Sequence, residues 1–227
     1  MNFILNVVAS IIAAFLISLI GFVIKLNIDG ISPLSFFRTL RRITVSKIKY
    51  FYNDRKYLVK YLGTTGEFLS LAERSVMYIG FWMSSSIDNS DFLKILKAKT
   101  SKSVEFSACF PDPDSPLMNY YSAFFEKPKE ELIMKINSNI NSIKQVKEEL
   151  PPNKKNNIRM FIHEYPITAS AFIIDKGDKK CKVLIDHKLP NSERFFSYGF
   201  EIYGYKNKFC ENIINSYKEI LDGAKEI

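Results

Sequence analysis

The sequence predicts an α/β fold, a mixed β-sheet flanked by helices, preceded by one N-terminal transmembrane helix. Three observations lead there. Residues 3–24 carry no charged side chain. From residue 64 onward, short β-branched and aromatic runs alternate with stretches of helical periodicity. The longest of those stretches keeps apolar residues at steps of three and four until it meets Pro151 and Pro152. The expected organisation is a transmembrane helix over 1–24, a basic juxtamembrane connector and helix over 25–62, and an α/β domain over 63–227.

The apolar run is "FILNVVASIIAAFLISLIGFVI". As a helix it reaches about 33 Å, roughly the hydrocarbon thickness of a bilayer. A cleavable signal peptide would begin with basic residues and end at a small-residue cleavage site, and neither is present. A buried core helix would show a polar face, and Asn6, Ser10, Ser18 and Gly21 make only a sparse one. Ser10, Ala14 and Ser18 are spaced as small-xxx-small pairs that permit close helix contact, so we expect a homo-oligomer.

Residues 25–60 hold a surplus of seven positive charges out of +8 for the whole chain. Positive charge just after the span puts the C-terminal part in the cytoplasm. Arg38, Arg41, Arg42, Lys47 and Lys49 are the candidate contacts with membrane lipid, at about 1 kcal/mol each near an anionic surface; the same cluster also serves as a topology signal alone. The remainder of the chain is close to neutral with mixed charges, which argues against a nucleic-acid protein.

After the breakers Gly30 and Pro33, "RRITVSKIKYFYNDRKYLVKYL" mixes basic and aromatic residues at loosely helical spacing and reads as an amphipathic helix. Thr64 or Thr65 caps the next helix, with Glu67 in its first turn. "SVMYIGFW" reads as a buried strand, "SDFLKILKAKT" as a helix and "SVEFSACF" as a second strand, a β-α-β order that implies parallel neighbours. "PDPDSP" ends that strand. Ile133, Ile136, Ile140, Ile143, Val146 and Leu150 form one helical stripe, and "PPNKKNN" is a solvated loop. "IRMFIHE", "ASAFIID" and "CKVLID" read as strands, the last two joined by a hairpin-length loop with Gly177. "FEIYGY" is a further strand, and the final helix carries Phe209, Ile213, Ile214, Tyr217, Ile220 and Leu221 before Gly223.

Cys109, Cys181 and Cys210 are widely spaced and odd in number, which suits a reducing compartment where they act as small core residues. With only His163 and His187 besides, no metal site and no cofactor are expected.

A helix leading into "SVMYIGFWMSSS", a helix leading into "SVEFSACFPDPDSP", a long helical insert, "IRMFIHEYPITASAFIID" and a closing helix together resemble a phospholipase D-like domain. The resemblance covers residues 64–225 and is to the single-copy, catalytically degenerate type of bacterial regulatory and defence proteins. It implies a location in the bacterial inner membrane and a role as a signalling or defence effector. The active family uses a histidine, lysine and aspartate in the pattern H-x-K-x4-D, twice per site. Mapped onto His163, the lysine position is Tyr165 and the aspartate position is Ser170, so two of three depart. His163 is therefore the candidate catalytic histidine, with the cation missing that a charged phosphoryl oxygen needs. A homodimer would bring two copies of His163 together. His187 is followed directly by Lys188, so the spacing fails there as well.

Loops at the carboxyl ends of strands are where open α/β sheets bind ligands. Ser84, Ser85, Ser86, Asp112, Asp114, Ser115, His163 and Asp175 are thus the candidate ligand-binding residues, and the loops of Ser84–Ser86, of Asp112 and Asp114, and of His163 are expected to form one polar pocket. A tight Asp-Pro turn accounts for Asp112 and Asp114 without a bound cation. The expected function is a membrane-anchored binding module that takes a small anionic ligand or a protein partner. The alternative is a homodimeric phosphodiesterase, a nuclease or phospholipase, working through His163.

Overall fold

A computed structural model describes residues 18–25, 48–52, 64–81, 83, 90–190, 198–204 and 207–227, together with residues 28, 30, 32, 34, 35, 37, 38 and 41. The chain divides into a small unit, Met1–Ser46, and a larger one, Lys47–Ile227. In the small unit residues 18–25 are helical, and most of their side chains are exposed. The expected span falls largely on residues 1–17, outside the described residues. Among the described residues no helix is long and apolar enough to cross a membrane.

The larger unit is built on eight strands: β1 (Ile48–Tyr52), β2 (Ser75–Ile79), β3 (Glu105–Pro111), β4 (Ile158–His163), β5 (Ala169–Ile174), β6 (Lys182–His187), β7 (Gly199–Tyr203) and β8 (Lys225–Glu226). They form one sheet in the order β1-β7-β6-β5-β2-β3-β4-β8. β2, β3 and β4 are parallel to one another, as the β-α-β order implies, and every other pairing is antiparallel. The mixed sheet follows from the connections: helices carry the chain from β2 to β3 and from β3 to β4, whereas the short loop after β5 permits only a hairpin.

The helices are α1 (Thr65–Ser70), α2 (Ser90–Ser101), α3 (Leu117–Phe125), α4 (Lys129–Glu148) and α5 (Lys208–Asp222), with a 3-10 turn at Pro152–Asn157 where a plain loop was expected. α1 is fixed by a capping box. Thr64 Oγ1 accepts the Glu67 N–H at 3.2 Å, and the Glu67 carboxylate accepts the Thr64 N–H at 2.7 Å. α4 buries the expected stripe, Ile136, Ile140, Ile143 and Val146, and also Leu132 and Asn139. The Asn139 side-chain oxygen accepts the Met83 N–H, which ties the segment after β2 to this helix.

Helices cover both faces of the sheet. Phe68 of α1 packs edge-on against Phe172 at 5.6 Å, while Phe209 of α5 lies over Phe200 at 6.4 Å. Phe172 aligns through Leu184 with Glu201, the neighbour of Phe200, so the two contacts are on opposite faces. Between them lies the core, with Phe81, Phe92, Phe106, Phe110 and Tyr121 almost wholly buried.

Two edges differ from expectation. Within the stretch read as an amphipathic helix, Ile48–Tyr52 is a strand, so the sheet begins ahead of the expected domain start at residue 63. Its aromatic residues find a partner in β7, and Tyr52, 4 % exposed, donates its hydroxyl to the Ile185 carbonyl at 3.1 Å. Lys49, one of the expected lipid contacts, stands 3.9 Å from the buried Glu201 carboxylate and lies over the Tyr203 ring. At the other edge, the two-residue β8 pairs with β4, and Arg159 donates to both Glu226 oxygens, at 3.0 and 2.6 Å.

Candidate functional site

Strand direction decides which side chains can meet. Because β2, β3 and β4 are parallel, their carboxyl ends share one end of the sheet, and β5, antiparallel to β2, starts at that same end. Gly80, Pro111, His163 and Ser170 are therefore at one end, and Asp175 is at the other. The expected meeting of the Asp112 loop with His163 is found: the Asp112 N–H donates to the His163 carbonyl at 2.8 Å. Ser84, Ser85 and Ser86 lie outside the described residues, as do Arg42 and Lys47; Arg38 and Arg41 are exposed.

Asp112, Asp114 and Ser115 satisfy one another. Asp112 Oδ1 accepts the Asp114 N–H at 2.9 Å, and the Ser115 hydroxyl, 4 % exposed, donates to the Asp112 carbonyl at 2.9 Å. This is an Asx-type turn that launches α3. Among the described residues no cluster of three or more His, Cys, Asp or Glu could hold a metal ion.

His163 is 2 % exposed. Its Nδ1 accepts the Tyr165 N–H at 3.2 Å, so the ring hydrogen is assigned to Nε2, which is buried without a hydrogen-bond partner. Burial pushes its pKa down to about 4 from 6.5, and the ring is neutral at pH 7. In this tautomer the nitrogen free of backbone contact carries the hydrogen.

That depression has a measurable consequence. The unfolded chain takes up a proton near pH 6.5 and the folded one only near pH 4. Stability therefore falls as pH drops through that window, by roughly a factor of ten in the unfolding constant per pH unit. His163→Gln should flatten the profile between those limits in denaturant titrations taken at successive pH values.

Asp175 leaves the ligand-binding set. Its carboxylate accepts the N–H groups of Glu73 (3.0 Å), Arg74 (2.7 Å) and Ser75 (3.2 Å), and its backbone sits at φ +50°. At 1 % exposure it clamps the entrance of β2 to the exit of β5. Half-exposed Tyr165, two residues after His163, stands in the connector beyond β4.

Around Ser170 the structure assembles polar groups, Tyr78, Asp186 and Lys188, that were not among the expected site residues. Ser170 is opposite Asp186 on β6, and Asp186 is ion-paired with Lys188, both side chains mostly buried. The Ser170 and Tyr78 hydroxyls each come within 2.4 Å of where a Cβ on Gly80 would stand, so a side chain there must displace them. His163 is three strands away from Ser170, about 14 Å at the usual spacing. His187, on β6, is four strands from His163 and stacks on Tyr198 at 4.8 Å.

A comparison with solved structures finds similarity to the crystal structure of a phospholipase D family member, Nuc from Salmonella typhimurium. Identity is 11 %, the TM-score is 0.42, and the match covers 70 % of this chain and 85 % of that one. No protein-family model matches the chain, and no curated protein matches it.

Proposed function

We propose that this chain is a binding module with a phospholipase D-like frame and no hydrolytic chemistry. In this reading a helix over residues 3–24 anchors it in a bacterial inner membrane, with the α/β domain on the cytoplasmic side. The domain takes a small anionic ligand or a protein partner, and the chain acts at the membrane as an oligomeric defence or stress effector. The anchor rests on the uncharged run and the basic segment that follows it.

What supports the loss of chemistry is a reading of the motif: through His163 the lysine and aspartate positions hold Tyr165 and Ser170, and with Asp175 taken as the closing aspartate the histidine and lysine positions hold Thr168 and Ser170. Neither Thr168 nor Ser170 supplies an imidazole or a fixed cation. Lys188 brings a cation to the same end of the sheet, but it is paired with Asp186. His163, neutral and buried, offers no substitute.

The test is hydrolysis of bis(p-nitrophenyl) phosphate and of DNA by the full chain. We expect no turnover above buffer, and no change on His163→Ala. Turnover that His163→Ala abolishes would establish the phosphodiesterase instead.

A further inference from the structure

We propose that Cys181 and Cys210 are a peroxide-modified pair, forming a reversible intramolecular disulfide that joins the start of β6 to the first turn of α5. The proposal stands on the packing of the larger unit alone and is independent of the function proposed above.

All three cysteines are free thiols and buried. Cys181 directly precedes β6 and Cys210 is the third residue of α5. Gly204 brings them together. A Cβ on that glycine would stand 2.6 Å from Cys181 Sγ and 3.0 Å from Cys210 Sγ, so the two sulfurs flank one point that must stay empty of side chain. The Gly204 N–H also donates to the Cys181 carbonyl at 2.9 Å, which fixes the approach. Both sulfurs thus share one small gap beside Gly204.

The two sulfurs are not equivalent. Cys181 receives the Cys210 hydrogen bond and a backbone N–H from Gly177, which hold its thiol below the usual range. The same hydrogen bond, with burial, pushes the Cys210 thiol up. Cys181 is therefore the nucleophile and Cys210 the resolving thiol. Cys109 is on β3, three strands from β6 and about 14 Å away at the usual spacing, too far to bridge. Burial raises its pKa to about 12.

The chemistry balances with hydrogen peroxide as oxidant. The Cys181 thiolate attacks one peroxide oxygen and the O–O bond breaks, giving a sulfenic acid and hydroxide, which takes up a proton to become water. The Cys210 sulfur then attacks Cys181 Sγ. Its proton goes to the departing hydroxyl, the S–O bond breaks, and the S–S bond forms with a second water. Two thiols are oxidised and one peroxide is reduced. Two equivalents of a small thiol reverse it.

The experiment treats the full chain in detergent with hydrogen peroxide, removes the peroxide with catalase, then denatures, alkylates and digests. We expect Cys181 and Cys210 to lose alkylation together, about tenfold or more faster than Cys109. One cross-linked peptide pair should appear, two hydrogens lighter than the sum of its parts and reopened by dithiothreitol. In Cys210→Ser, Cys181 should instead stop at a sulfenic acid trapped by dimedone. If that variant does not fold, the order of loss in the wild-type time course decides. The proposal fails if all three cysteines are lost at one rate, if the cross-link joins two chains or involves Cys109, or if Cys181 and Cys210 stay alkylatable after Cys109 has reacted.

Discussion

Asp175→Ala is expected to destabilise the larger unit by about 4 kcal/mol, from three backbone N–H groups left without their charged acceptor and a left-handed backbone imposed on alanine. The N–H groups belong to Glu73, Arg74 and Ser75, with the closest contact at 2.7 Å. Water cannot readily replace the carboxylate, because Asp175 is 1 % exposed. Asp175→Asn keeps an acceptor oxygen and tolerates φ +50° better, so it should cost about half as much. Urea titrations followed by circular dichroism would separate the two variants. Equal losses would mean that a neutral acceptor oxygen and the preserved side-chain size restore nothing, and that the negative charge carries the whole effect.

Gly199→Ala is the second large effect, about 3 kcal/mol or more, at the upper end for overpacking. A Cβ there would stand 2.1 Å from the Ile185 carbonyl oxygen and 2.3 Å from the Tyr52 hydroxyl. The first obstacle is a backbone carbonyl of β6, near the end of the β6–β7 ladder, which cannot swing aside as a side chain can. Gly80→Ala makes a useful contrast, since its obstacles are side chains, the Ser170 and Tyr78 hydroxyls at 2.4 Å and the Ser170 Cβ at 2.7 Å, with no backbone atom among them. We expect Gly80→Ala to cost less and Gly199→Ala to release β1. Amide exchange at Tyr50–Tyr52 reports this directly: fast exchange in Gly199→Ala and protection in Gly80→Ala. Unchanged protection in both would refute the assignment of Gly199 as the seat of Tyr52.

Local signals were legible in the sequence, and long-range ones were not. The capping box at Thr64 and Glu67, the α4 stripe, the Asx turn at Asp112 and the parallel run of β2 and β3 all depend on residues near one another in sequence, and all are present. β1 was read as a helix because "IKYFY" sits among basic residues whose spacing suits either structure. What makes it a strand is β7, about 150 residues away. The site shows the same division. Asp175 and His163 look equivalent as strand-end polar residues. Only the antiparallel course of β5 beside β2 puts them at opposite ends of the sheet.

The pairing of Tyr52 with Ile185 spans 133 residues of sequence. During synthesis β1 therefore emerges long before its partner β7 exists, and it must wait as an unpaired aromatic strand while β2 to β6 are made. The sheet closes at this edge late, after the parallel centre has had time to pack. In the interval "IKYFY" is an open edge to other chains as well as to its own, which makes the rate of chain completion, and not only final stability, a determinant of yield.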